Sequence, residues 1–134
     1  MGTVRMTVGM VKRIKWRLYE KGDKKVETVI RYLDYKNELS IVARSQYKGE
    51  PLTGPVYLGL IFHMPMPQSW SDKKKKRMDG QPHDKRPDRD NLEKGVCDAF
   101  NKIIWKDDGQ ICDGPIRKFY SFEPRIEIEF SEIA

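Results

Sequence analysis

The sequence predicts an α+β fold, a mixed β-sheet packed with helices, on three observations. Residues 56–62 form a short apolar run that reads as a buried strand, residues 125–130 alternate as a half-buried strand does, and apolar residues within 92–104 recur at helical spacing. The length of 134 residues suits one domain, spanning 1–134, with a single modest core.

The elements follow in order. Residues 2–11 alternate loosely and make a candidate edge strand, and 12–25 is a basic stretch with a turn-like Gly22-Asp23 pair. Over 33–47, Leu33, Leu39, Val42, Ala43 and Tyr47 recur at mixed three- and four-residue steps, the pattern of an amphipathic helix. Gly49, Pro51, Gly54 and Pro55 end it. The run 56–62 is apolar on both faces, which places it at the centre of the sheet, and it stops before Pro65. Ser71 is positioned to cap a short exposed helix that runs to Met78, and 80–87 reads as a turn-rich linker. Leu92, Val96, Ala99, Phe100, Ile103 and Ile104 then lie on one stripe of a helix from Asn91 to about Ile104. Asp90 followed by Glu93 is an aspartate version of the capping box, which sets the start of that helix. After Asp107-Asp108-Gly109, residues 116–122 and 125–130, joined through Glu123-Pro124, read as an antiparallel hairpin.

Composition narrows the classes of function. With 38% hydrophobic and 34% charged residues the chain is too apolar for a disordered protein, yet its surface is densely charged. A formal charge of +6 and a pI near 9.3 favour an anionic partner, nucleic acid first, although many unspecialised basic proteins share such a balance. Cys97 and Cys112 lack metal-finger spacing and are too few to staple a secreted scaffold, so both are expected as reduced thiols. No apolar run approaches the roughly 20 residues that span a bilayer, and none resembles a signal peptide. A cytoplasmic protein with no membrane contact is expected.

The chemistry-bearing pattern is acidic. Asp88-Arg89-Asp90-Asn91 sets two carboxylates two residues apart before a helix, and Asp107-Asp108 brings two more after it. Such oxygen donors suit a hard divalent cation, which takes one or two carboxylates, waters and a substrate phosphate oxygen. Each pair also has an ordinary explanation, a helix cap for the first and an Asp-Gly turn for the second. One cap needs only one carboxylate, however, and an acidic focus inside a basic chain points to metal. An EF-hand is excluded because Leu92 and Glu93 stand where a ligand and a glycine are required. The intervening helix separates the clusters by about 20 Å at 1.5 Å per residue. They meet only if the chain folds back along it or if a second subunit contributes. Lys94, four residues after Asp90, shares its helical face and either assists at a phosphate or forms an i,i+4 ion pair with Asp90 or Asp98. A lysine so near a helix N-terminus opposes the macrodipole, which favours a purpose beyond pairing. Lys73, Lys74, Lys75, Lys76 and Arg77, with Arg86 and Arg89, are candidates for phosphate contact, against the plainer reading of a solvated loop. Trp105 reads as core, Trp70 more readily as packing than as a base-stacking group, and His83 as a loop histidine.

These residues together resemble the RusA family of Holliday junction resolvases. The resemblance rests on Pro87-Asp88-Arg89-Asp90-Asn91-Leu92-Glu93-Lys94, then Asp98-Ala99-Phe100-Asn101, then Trp105-Lys106-Asp107-Asp108-Gly109-Gln110-Ile111. Residues 44–49, the strand into Pro65, His83 and the C-terminal strands agree more weakly, while the first forty residues depart from the family's Pro-rich start. The resemblance implies a RusA-like fold and a Mg²⁺-dependent homodimer that binds branched DNA, each subunit nicking one of two symmetric strands of a four-way junction. It carries the family's metal-binding aspartates onto Asp88, Asp90 and Asp108, and its catalytic lysine onto Lys94. It further implies in-line attack of an activated water on the phosphodiester, with Lys94 assisting. Proteins of this kind are similar to those often found in prophages. Two other readings share parts of the pattern: a nuclease selective for other branched DNA, and a non-catalytic basic DNA-binding module.

Overall fold

The structure is a computed structural model that describes residues 2–9 and 24–134, with the side chains of the first helix described from Tyr35 onward. The expected basic stretch and its Gly22-Asp23 turn lie outside these residues, except that Lys24 and Lys25 open a helix.

In chain order the elements are β1 (Val4–Gly9), α1 (Lys24–Gln46), β2 (Val56–Met64), α2 (Asp72–Met78), α3 (Arg89–Phe100), a 3₁₀ turn (Asp108–Gln110), β3 (Ile111–Asp113), β4 (Ile116–Tyr120) and β5 (Arg125–Glu132). The arrangement is α+β, with five strands in one mixed sheet. β2 is central, as its two-sided apolar sequence requires. β5 pairs antiparallel along one of its edges and carries β1 beyond. β3 and β4 pair parallel to its other edge, one after the other.

This arrangement corrects the expected hairpin. β4 and β5 do not pair with each other but flank β2 on opposite sides, so residues 121–124 cross its end. A Pro-containing turn marks where the chain reverses and says nothing of which strand lies between its arms. β2, apolar on both faces, lies between them. The crossing is pinned locally: Ser121 N–H donates to Met64 O, and Arg125 donates to Ser121 Oγ and Glu123 O.

The core lies between the sheet and the helices. Val56, Leu58, Leu60, Phe62 and Met64 of β2 and Ile126, Ile128 and Phe130 of β5 face it, together with Tyr35, Leu39 and Ala43 of α1 and Leu92, Val96, Ala99 and Phe100 of α3. α1 and α3 approach closely at Gly95, where an added Cβ would overlap the Tyr35 ring. Tyr35 completes the junction by donating its hydroxyl to Leu92 O at 3.1 Å. At the β3–β4 connection Gly114 has φ +131° and lies against the Leu58 carbonyl, a conformation and an approach that only glycine permits.

Three boundaries differ from expectation. α1 begins nine residues earlier than 33, since β-branched Val26, Thr28, Val29 and Ile30 carry little helical signal. α3 starts at Arg89 with Asp88 as N-cap, so the Asp90–Glu93 capping box does not form. α3 also ends at Phe100 rather than Ile104. Lys102 takes a left-handed φ of 70°, and Ile103 and Ile104 N–H groups turn back onto Phe100 O. Ile104 and Trp105 stay in the core all the same, both fully buried, with Trp105 Nε1 donating to Asn101 Oδ1 at 2.8 Å.

Gly95→Ala is expected to lower unfolding free energy by about 1–3 kcal/mol, the usual range for overpacking a tight contact, as read from urea denaturation. A variant as stable as the parent would show that the α1–α3 contact is not close.

Candidate active site

The residues before α3 are held by β4. Residues 80–83 were expected as a linker, yet they lie antiparallel to the free edge of β4. Gly80 N–H donates to Tyr120 O, Tyr120 N–H to Gln81 O, and His83 N–H to Lys118 O. The Arg86–Pro87 peptide is cis. The Lys118 ammonium then donates to Lys85 O at 2.6 Å and to Pro87 O at 2.8 Å. Two residues further, Arg89 Nη1 donates to Ile116 O at 3.0 Å, fixing the first turn of α3 to the same strand. Arg89 thus has a structural bond besides any contact with DNA.

Asp88, Asp90, Lys94 and Asp108 are all exposed. Asp88 is the N-cap by backbone geometry but makes no side-chain cap bond. Among the described residues Asp90 Oδ1 accepts only from the N–H of its neighbour Asn91. The capping explanation for this pair is therefore not realised, and both carboxylates stand at the positive end of the α3 dipole. No ion pair joins Lys94 to Asp90 among the described residues.

The second pair divides differently. Asp107 caps the 3₁₀ turn: its carboxylate accepts from Gly109 N–H at 2.9 Å, and Gln110 Oε1 accepts from Asp107 N–H at 2.8 Å. Gln110 Nε2 in turn donates to Leu52 O and Gly54 O. The carboxylate of Asp108, beside it, accepts no hydrogen bond among the described residues, although its backbone carbonyl accepts from Ile111 N–H. Burial pushes the Cys97 thiol up to about 12, with the Glu93, Asp108 and Asp98 carboxylates adding to it. Asp108 therefore lies within electrostatic reach of Cys97, in the last turn of α3. Among the described residues no three Asp, Glu, His or Cys side chains converge closely enough to hold a metal ion. What the site offers is a set of exposed carboxylate oxygens, a donor chemistry that fits a hard divalent cation.

Basic and aromatic groups border this region. Ser71 caps α2 by accepting from Lys74 N–H, as expected, and Lys73, Lys74, Lys75, Lys76 and Arg77 occupy a helix with no buried residue. The Lys74 ammonium lies 4.5 Å from the Trp70 ring centre, and Trp70 packs against Tyr120 at 5.1 Å. Trp70 is thus engaged in packing. The His83 ring packs at a tilt against Tyr120, 4.7 Å between centres, and its Nδ1 is buried with no hydrogen-bond partner among the described residues. Burial, then the Lys118 charge, pull its pKa down to about 4. Lys118 and the His83–Tyr120–Trp70 group were not singled out from the sequence. A half-buried lysine in a strand is the one signal that marks the former.

The family model described as endodeoxyribonuclease RusA matches residues 8–131, nearly the whole chain. The chain belongs to the RusA family. It is accordingly a crossover junction endodeoxyribonuclease, a family that acts on Holliday junctions. A curated relative, the uncharacterized protein YqaN of Bacillus subtilis (strain 168), is 42% identical over 106 residues, covering 75% of this chain and 73% of that protein. No helix among the described residues is long and apolar enough to cross a membrane. A divalent metal requirement follows from the nuclease family.

The division between the adjacent aspartates is measurable. Asp107→Ala removes a cap and is expected to cost about 1 kcal/mol in urea unfolding, whereas Asp108→Asn leaves stability nearly unchanged. Equal losses in both variants would contradict the division. For His83 the folded pKa lies below the usual 6.5, so its stabilisation is complete above that pH and is lost as pH falls toward about 4. The loss of stability between about pH 7 and about pH 5 should be smaller in His83→Gln than in the parent. Identical pH profiles would mean that the ring titrates freely in the fold.

Proposed function

We propose that the chain resolves four-way DNA junctions as a Mg²⁺-dependent homodimer in the cytoplasm, each subunit nicking one of two symmetric strands. The observation that carries this reading is a pair of exposed carboxylates, Asp88 and Asp90, at the first turn of α3 and unused for capping, in a chain of net charge +6. Asp88, Asp90 and Asp108 would hold the ion, leaving its remaining positions to waters and a phosphate oxygen. When bound, the ion supplies neutralisation of charge on the phosphate oxygens and acidifies water.

The remaining work falls to the chain's own groups. Lys94, one helical turn beyond Asp90, positions the phosphodiester and stabilises charge developing on it. The amides of the α3 N-terminus add a favourable field for that phosphate. Lys73, Lys74, Lys75, Lys76, Arg77, Arg86 and Arg89 grip the phosphate backbone of the junction arms without reading sequence.

The deciding experiment is incision of a synthetic mobile four-way junction with and without Mg²⁺, beside forks and linear duplex. Paired cuts confined to the junction are expected. Preference for forks would favour a nuclease for other branched DNA, and binding without scission would favour the non-catalytic module. Asp90→Asn is expected to abolish cleavage with junction binding retained, and Lys94→Ala to slow cleavage by about 10²-fold or more without loss of metal. Full activity in either variant would remove that residue from the site.

A further inference from the structure

Lys118 stands on the helix-facing side of β4, in register with Phe62 of β2 and between Ile116 and Tyr120. A lysine on that side of a sheet has a reason to be there, because its neighbours in the strand face the core. Its ammonium is directed at the loop before α3, where the carbonyls of Lys85 and Pro87 accept from it at 2.6 and 2.8 Å. Bonds from a charged donor this short are the stronger kind, and two of them fix a loop that has no strand pairing of its own. The backbone of the same residue accepts from His83 N–H at 3.1 Å. A single position on β4 therefore fixes the chain on both sides of Asp84. The residue directly after Pro87 is Asp88, whose carboxylate, with that of Asp84, faces the ammonium electrostatically while Arg89 opposes it.

We propose that Lys118 is a positioning residue for the nuclease site: braced on β4, it holds the loop through Lys85 and Pro87 and thereby sets the Asp88 carboxylate where a divalent ion is taken up. The proposal rests on the reading of Asp88 as a residue that holds the ion. Lys118 does not touch substrate; it acts through the backbone that carries Asp88. Groups that orient metal-binding carboxylates in this way commonly matter nearly as much as the carboxylates themselves.

The test uses the full chain with Lys118→Met, which keeps the length and loses the donors, and Lys118→Arg, which keeps them. Three quantities are read: Mn²⁺ binding to the protein alone by electron paramagnetic resonance, the Mg²⁺ dependence of junction cleavage, and amide hydrogen exchange along the chain. For Lys118→Met, Mn²⁺ affinity is expected to fall by about tenfold or more, with the half-saturating Mg²⁺ concentration rising in step. Exchange should quicken in residues 84–89 and stay unchanged in β2 and β5, while junction binding without divalent metal is retained. Lys118→Arg should recover most of the Mn²⁺ affinity. Unchanged Mn²⁺ affinity in Lys118→Met overturns the proposal, and so does faster exchange spread evenly over the sheet. Should Lys118→Met fail to fold, Lys118→Gln, which keeps one donor, is read by the same criteria. A parent protein that binds no Mn²⁺ would instead sink the reading of the aspartates, whereas a parent that binds it beside an unaffected variant sinks only the role of Lys118.

Discussion

The parallel pairing of β4 with β2 is the constraint on which the functional end of the molecule depends. Its register turns Ile116, Lys118 and Tyr120 to the helix-bearing side of the sheet. Each of the three then holds something. Ile116 O receives Arg89 at the first turn of α3, Lys118 fastens the loop before it, and the Tyr120 ring meets both Trp70 and His83. A slip of one residue would send all three to the opposite face, because side chains alternate along a strand. Asp88 at the start of α3 and the cationic helix α2 thus take their places from one short strand that carries no acidic residue itself.

Adjacent residues of the same type do different work here, and backbone geometry decides which. Asp107 has an extended backbone before a 3₁₀ turn, so its carboxylate reaches the amide of Gly109. Asp108, inside that turn, is directed outward. At α3 the cap position belongs to Asp88, yet its side chain does not close onto the helix, and Asp90 turns to its own neighbour. Carboxylates not used for local hydrogen bonds are the ones available to an external cation.

Much of this was legible in the sequence. β2, the stripe of α3, the Ser71 cap and the buried Trp105 follow from apolar spacing and turn chemistry, which are local properties. The run from Pro87 to Lys94 and the Asp107-Asp108 pair are likewise read from neighbours in sequence, and they supply the carboxylates on which the proposed site draws. What escaped was non-local. The partner of β4 could not be read because Glu123-Pro124 marks a reversal without fixing what lies between its arms. Residues 80–83 escaped because Gly80 and Pro82 signal a turn, and their alignment beside β4 is imposed by the unpaired edge of that strand. Lys118 escaped because its importance lies in two carbonyls more than 30 positions away along the chain. Its role is invisible to any window of neighbouring residues.

α2 contributes no side chain to the interior; its side-chain tie to the rest is Lys74 over the Trp70 ring, which packs on Tyr120. A helix of this sort is thermodynamically almost uncoupled from folding. Its lysines can be gained, lost or exchanged for arginine with little effect on whether the molecule folds, while the sheet and α3 keep the acidic residues in place. Affinity for a polyanion and the ionic strength at which it is retained are therefore free to drift between lineages, independently of the chemistry performed a few residues downstream.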